Sequence, residues 1–144
     1  MSKFLFPIQI KAGSPTNGKV LKCSDSDGNS QWGTANAYNF IVSKTSSDNI
    51  LTSESGTIFT NDTAGANITL TLPAAFPGLN YGFVNDSGFN IKVQAQSGDT
   101  IRLGLSVSAA GGYAESLDSG ERLHLMAINT TEWVSFHNQW TPPV

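Results

Sequence analysis

An all-β fold is what this sequence predicts: an antiparallel β-sandwich or barrel-like domain behind an extended N-terminal arm. Three observations carry the prediction. Apolar and polar residues alternate in short runs, as in Ile68-Thr69-Leu70-Thr71-Leu72, Ile91-Lys92-Val93-Gln94-Ala95, Ile101-Arg102-Leu103, Leu123-His124-Leu125 and Trp133-Val134-Ser135-Phe136. A period of two sends every second side chain to one face, the pattern of strands with one buried side. Between the runs stand Asn85-Asp86-Ser87-Gly88, Ser97-Gly98-Asp99, Gly111-Gly112, Asp118-Ser119-Gly120 and Asn129-Thr130-Thr131. Such residues supply the positive φ or the side-chain-to-backbone hydrogen bonds of tight turns. From residue 81 to 136 the runs recur roughly every 10 residues, the rhythm of a sandwich or barrel.

Taken in order, residues 1–37 differ from the rest. Phe4, Leu5, Phe6, Ile8 and Ile10 are apolar, and Ala12-Gly13-Ser14-Pro15-Thr16-Asn17-Gly18 follows. This segment has too little apolar surface to fold alone and reads as an arm carrying one hairpin. Val20-Leu21 lies in its first strand, Asp25-Ser26-Asp27-Gly28-Asn29 is the turn and Gln31-Trp32 begins the return, Asp-Gly being a strong hairpin dipeptide. A β-rich domain spans 38–144. Tyr38 to Val42 and Thr57 to Thr60 are its first apolar runs, with Ile50-Leu51 between them after a polar connector. Pro73 and Pro77-Gly78 break the chain after the 68–72 strand. No internal repeat of fixed period is visible, so a solenoid is not expected.

Composition narrows the function. At 144 residues the chain fits one domain with an appendage. Charged residues make up 13%, well under the roughly 25% of an average globular chain. Ser, Thr, Asn and 14 Gly replace them. A polar but uncharged surface suits packing of chains on one another, because each interfacial Lys or Glu costs desolvation. The net charge is −3 and the eight Lys and Arg are scattered, which argues against nucleic-acid binding through phosphates. The single cysteine, Cys23, allows neither an intrachain disulfide nor a multi-cysteine zinc site. The apolar stretch of Met1 to Pro7 is too short for a secretory leader or a membrane span, so no membrane insertion is expected.

No constellation for chemistry emerges, and neither a cofactor nor a metal is expected. Asp25-Ser26-Asp27-Gly28-Asn29 has the acidic start of a calcium loop, but Gly28 falls at position 4 and Asn36 stands where the closing Glu belongs. His124 and His137 lie on different strands, and His124 points away from the face that carries Leu123 and Leu125. Asp86, Asp99, Glu115, Asp118 and Glu121 fall in or beside turns, where carboxylates cap backbone amides, and nothing pairs them as a glycosidase requires. Ser55-Gly56 and Ser87-Gly88 lack the nucleophile elbow. The protein is therefore read as not an enzyme. Val20, Leu21, Trp32, Trp133 and Phe136 are assigned to the core or to a subunit interface, as strand aromatics usually are. Tyr113, between Gly112 and Ala114, is the aromatic expected to be exposed.

Two stretches carry a family resemblance. Gly18-Lys19-Val20-Leu21 followed by Ser24-Asp25-Ser26-Asp27-Gly28-Asn29-Ser30-Gln31-Trp32 resembles a segment of bacteriophage tail fibres and related virion fibres, with Lys22 as one extra residue. Thr69-Leu70-Thr71-Leu72-Pro73, Gly98-Asp99-Thr100-Ile101, Gly120-Glu121-Arg122-Leu123-His124-Leu125 and Glu132-Trp133-Val134 resemble the β-rich terminal domain of phage fibres and surface-decorating proteins. The resemblance implies a homotrimer packed around a threefold axis, on the virion surface, with a major capsid or tail protein as partner. Only about 35 residues precede the β-domain, so the chain is too short for a full-length fibre. A capsid-decoration protein or short head fibre is the reading that follows. Phe4, Leu5, Phe6, Ile8 and Ile10 would be its virion attachment, each burying ~1.5–3 kcal/mol of apolar surface before ordering costs. The alternative is a tail-fibre or tail-tip protein that binds a host-surface glycan or protein through loop 104–118, with Tyr113 and Glu115 as contacts.

Overall fold

The computed structural model describes residues 19–23, 30–34 and 40–141, with the backbone alone at 19–23, 30–34, 137 and 138. The chain forms two units, Met1–Ala37 and Tyr38–Val144. In the first, β1 (Lys19–Cys23) and β2 (Ser30–Thr34) make an antiparallel hairpin with Leu21 opposite Trp32. Phe4, Leu5, Phe6, Ile8, Ile10 and the Asp25–Asn29 turn lie outside the described residues, as do the side chains of Val20, Leu21 and Trp32.

The second unit is all β apart from one 3₁₀ turn, Thr52–Glu54. Its strands are β3 (Phe40–Ser43), β4 (Asp48–Asn49), β5 (Thr57–Thr60), β6 (Ile68–Thr71), β7 (Asn80–Val84), β8 (Ile91–Gln94), β9 (Thr100–Leu103), β10 (Ser106–Val107), β11 (Tyr113–Glu115), β12 (Arg122–Ala127) and β13 (Glu132–Asn138). They form two open sheets, seven-stranded in the order β10-β9-β13-β12-β7-β5-β3 and four-stranded in the order β11-β8-β6-β4. The inner side chains of both sheets share one core, the arrangement of a β-sandwich, and neither sheet closes into a barrel.

The sheets are mixed, which corrects the antiparallel expectation. β3, β5 and β7 run parallel in the large sheet, as do β4, β6 and β8 in the small one. The chain changes sheet after every strand from β3 to β8 and so winds as a short two-sheet solenoid. Alternation within a strand fixes which side is buried and leaves the strand's direction open. A repeat underlies the winding. Phe59-Thr60-Asn61-Asp62-Thr63 returns as Phe83-Val84-Asn85-Asp86-Ser87, and Gly65-Ala66-Asn67-Ile68 as Gly88-Phe89-Asn90-Ile91. Phe59 pairs with Phe83 and Ile68 with Ile91 across parallel strands, so the copies stack coil on coil. Ala64 has no counterpart in the second copy, which breaks the period.

Hydrogen bonds hold the stacked corners. Asn61, fully buried, donates from Nδ2 to Ser87 Oγ (2.7 Å) and to the Phe89 carbonyl (2.6 Å), and its Oδ1 accepts from Asp86 N–H (2.7 Å). Asn67 Oδ1 likewise accepts from Asn90 N–H (2.9 Å). One step on, Asn85 Nδ2 donates to Ser116 Oγ (3.1 Å), which also accepts from Ile91 N–H (2.9 Å). Each corner thus satisfies backbone groups of the next coil, as buried polar groups require.

The remaining strands close the sandwich. β12 pairs antiparallel with β7, β13 antiparallel with β12, and β9 parallel with β13, so the last strand of the chain lies inside the large sheet. Aromatic contacts run through the core: Phe59 to Phe83 at 5.9 Å, Tyr81 to Trp133 at 5.7 Å and Phe83 to Trp140 at 6.0 Å between ring centroids. Tyr81 donates its hydroxyl to the Leu51 carbonyl (3.1 Å), and burial, helped by Glu54, lifts its phenol to about 12. Ile50 is buried but lies just past β4, and Leu51 is exposed before the 3₁₀ turn, so the strand here is the polar pair Asp48–Asn49. Gly98 and Gly120 adopt φ of 97° and 89° in their turns, a conformation that suits glycine alone.

Candidate functional site

The two outer faces of the sandwich differ in chemistry. On the four-stranded sheet, register sets Thr69, Lys92 and Glu115 in one row and Asn49, Thr71, Gln94 and Tyr113 in the next. This face is polar throughout. On the seven-stranded sheet, Ile41, Ile58, Gly82 and His124 form a row, with Thr60, Val84 and Arg122 on one side and Asn80, Met126, Val134 and Arg102 on the other. The centre of that face is apolar. Ile41, on the edge strand β3, is 74% exposed, and Phe136, on β13 beyond β5, β7 and β12, is 63% exposed.

A shallow groove of about 240 Å³ crosses the face, lined by Ile58, Gly82, Val84, Arg122 and His124. Gly82 is its floor because it brings no side chain to the outer surface of a central strand. The His124 ring forms one wall and lies 5.9 Å from the Phe136 ring. The register between β12 and β13 shifts between His124 and Leu125, which leaves Phe136 as the extra residue on β13, on the outer face that alternation from Trp133 already gives it. Charge is confined to the rim. Arg122 is exposed at one end, and Arg102 pairs with Glu132 at 2.6 Å at the other.

Burial among these apolar groups pushes the His124 imidazole below its ordinary value. In the unfolded chain the ring takes a proton near pH 6.5, whereas in the fold it does so only at lower pH. The unfolded state therefore binds more protons in that window, and stability falls as pH drops below about 6.5, levelling off once the folded ring is protonated. Urea unfolding at pH 7.5 and 5.5 checks this. The loss of stability between the two is smaller in His124→Gln than in the native protein, and equal losses would remove His124 as a cause.

The structure separates the residues singled out from the sequence. Trp133 is fully buried at the centre of the core. Phe136, grouped with it as core or interface, is exposed and takes no part in the core. Tyr113 and Glu115 sit in strand β11, half-buried, instead of in an open loop. Lys92 Nζ lies 4.0 Å from the Tyr113 ring centroid and Asn90 Nδ2 donates to Glu115 Oε1 (3.2 Å), so both side chains are held on the small sheet. Tyr113 is thus less exposed than Phe40, Phe76 or Phe136. The turn carboxylates cap amides: Asp99 Oδ2 accepts from Ala75 N–H (2.8 Å) and Glu121 Oε2 from Leu117 N–H (2.8 Å). Among the described residues no three His, Cys, Asp or Glu side chains gather where they would hold a metal ion. Sequence reasoning passed over Ile41, Ile58 and Gly82. For Ile58 the signal was there in principle, since it lies opposite in phase to the buried Thr57 and Phe59. Comparison with family models and with curated proteins finds no match.

Proposed function

We propose that the protein is a non-enzymatic structural subunit of a bacteriophage virion, a homotrimeric capsid-decoration protein or short head fibre. Residues 1–37 attach it to the particle and the β-domain projects outward. The observation that carries the reading is the contrast between the two outer faces. An apolar face on the large sheet is suited to burial against identical copies, and a polar face on the small sheet is suited to water. The low charge and the resemblance of residues 18–32 and 57–140 to virion fibre segments support it. A second reading, a tail-tip protein that binds a host-surface glycan or protein, draws support from the polar face, where Tyr113 and Glu115 stand beside Lys92 and Gln94. Electron microscopy of intact particles tests both. Density for the protein on the head is expected, density at the tail tip favours the second reading, and its absence from particles removes both.

A further inference from the structure

We propose that residues 40–54, the first coil of the winding, form a strap that opens as a unit from the edges of β5 and β6 while the rest of the β-domain stays folded. Burial is the first argument. β3 and β4 end their sheets, and among the described residues each pairs with one neighbour alone, β3 with β5 over four residues and β4 with β6 over two. Within 40–54, Ile50 alone is buried and Val42 packs partly against the core, whereas Phe40, Ile41 and Leu51 are exposed. Beneath the strap, β5 and β6 bury every second side chain. A segment with few buried apolar contacts opens at a lower free energy than the core it lies on.

The corner is the second argument. Register sets Val42 beside Phe59 and Ser43 beside Thr60, so Lys44 stands where the next coil has Asn61. Asn61 is buried and locks its coil to the following one through Asp86, Ser87 and Phe89. The Lys44 ammonium instead bonds inside its own coil, 2.7 Å from Asp48 Oδ2 and 3.7 Å from Glu54 Oε1, and reaches outward to the Phe59 ring at 5.4 Å. Glu54 Oε2 also accepts from Leu51 N–H (2.7 Å). These bonds hold the strap together as a piece. Toward the next coil its corner offers two exposed serines: Ser43 donates to the Asp62 carbonyl (2.8 Å) and Ser47 Oγ accepts from Thr69 N–H (2.9 Å). The far end is pinned where Tyr81 donates to the Leu51 carbonyl and Ser55 Oγ accepts from Asn80 N–H (3.1 Å). The hinge therefore falls at Ser55-Gly56, where Gly56 adopts a φ of 85°. Closed, the strap covers the outer edges of β5 and β6. Open, it bares two adjacent edges with alternating apolar side chains, the kind of template on which another strand adds.

Amide hydrogen exchange of the full chain, read by NMR, tests the strap, because neighbouring amides of β6 point to opposite sides. Thr69 N–H bonds to Ser47 in the strap, whereas Ile68 N–H bonds to the Asn90 carbonyl (3.0 Å) and Leu72 N–H to the Gln94 carbonyl (2.8 Å), away from it. From the strap, Lys44 N–H and Ile50 N–H donate to the Thr60 and Thr71 carbonyls (2.8 Å each). Protection of the Lys44, Ile50 and Thr69 amides is expected to be alike and at least about 100-fold below that of Ile68 and Leu72. Ile50→Ala is expected to lower the protection of Lys44 and Thr69 by a further ~10-fold or more and to leave Leu72 as it was. An Ile50 amide as protected as that of Leu72 overturns the strap. So does an Ile50→Ala protein in which Leu72 loses protection by the same factor as Lys44.

Discussion

Replacing Trp133 by alanine is expected to destabilise the β-domain by about 3–5 kcal/mol, the range for a fully buried large aromatic. The indole fills the centre of the sandwich against the Tyr81 ring at 5.7 Å, and its strand lies between β12 and β9. Backbone around so large a void cannot collapse without breaking the pairing of Trp133 with both Ala127 and Ile101. The Trp133 indole N–H finds no acceptor among the described residues, so Trp133→Phe removes an unsatisfied donor along with volume and is expected to cost clearly less. Phe136→Ala, three residues on but exposed, is expected to stay within about 0.5 kcal/mol in the isolated subunit. Urea denaturation at one fixed protein concentration orders the three. A loss under about 1.5 kcal/mol for Trp133→Ala would place the indole outside the core.

The second large effect belongs to a corner. Asn61→Ala is expected to cost about 2–4 kcal/mol, because it strips the Asp86 N–H of its acceptor and the Phe89 carbonyl of its shorter hydrogen bond in a buried place. Asn61→Asp is expected to be worse at pH 7. It keeps the acceptor for Asp86 but sets a buried carboxylate against the Phe89 carbonyl. The sign then reverses with pH. Burial raises the carboxyl's folded pKa above its unfolded value, so the fold binds the extra proton and the variant regains stability as pH falls through that raised value. Thermal melts of both variants at pH 7 and pH 5 read this directly. An Asn61→Asp protein no more stable at pH 5 than at pH 7, relative to the native chain, would contradict it.

Most strands were legible. Ile68-Thr69-Leu70-Thr71 and Ile91-Lys92-Val93-Gln94 alternate without a fault and are β6 and β8, each with Ile and its next-but-one neighbour buried. Leu123 and Leu125 are inside and His124 is outside, as alternation dictates. What alternation does not carry is direction, so the parallel stacking of β5 on β7 and β6 on β8 was out of reach of strand patterns. The Phe-x-Asn-Asp-(Ser/Thr) repeat carries that information, but Ala64 displaces its second half by one residue and hides it from a search for a fixed period. β4 was missed because its two residues are polar and the apolar pull comes from Ile50 just beyond. The candidate site was half legible. Strict alternation already sets Phe136 on the opposite face from Trp133, yet chemical type alone groups the two aromatics together. Gly82 gave no signal by itself, because a groove floor exists only once Ile58 and His124 are brought to either side by pairing.

The place of β13 bears on how the chain reaches its native state. Synthesis delivers β9 (Thr100–Leu103) long before β13 (Glu132–Asn138), the strand that joins it to β12, so a nascent chain ending short of residue 132 holds β10-β9 and β12-β7-β5-β3 as two separate parts of one layer. The early coils have neighbours to stack on as they emerge from the ribosome, but closure waits for a strand made after both of its neighbours. Until it arrives, the edges of β9 and β12 are bare templates for strand exchange with sibling chains, which is where misassembly would begin.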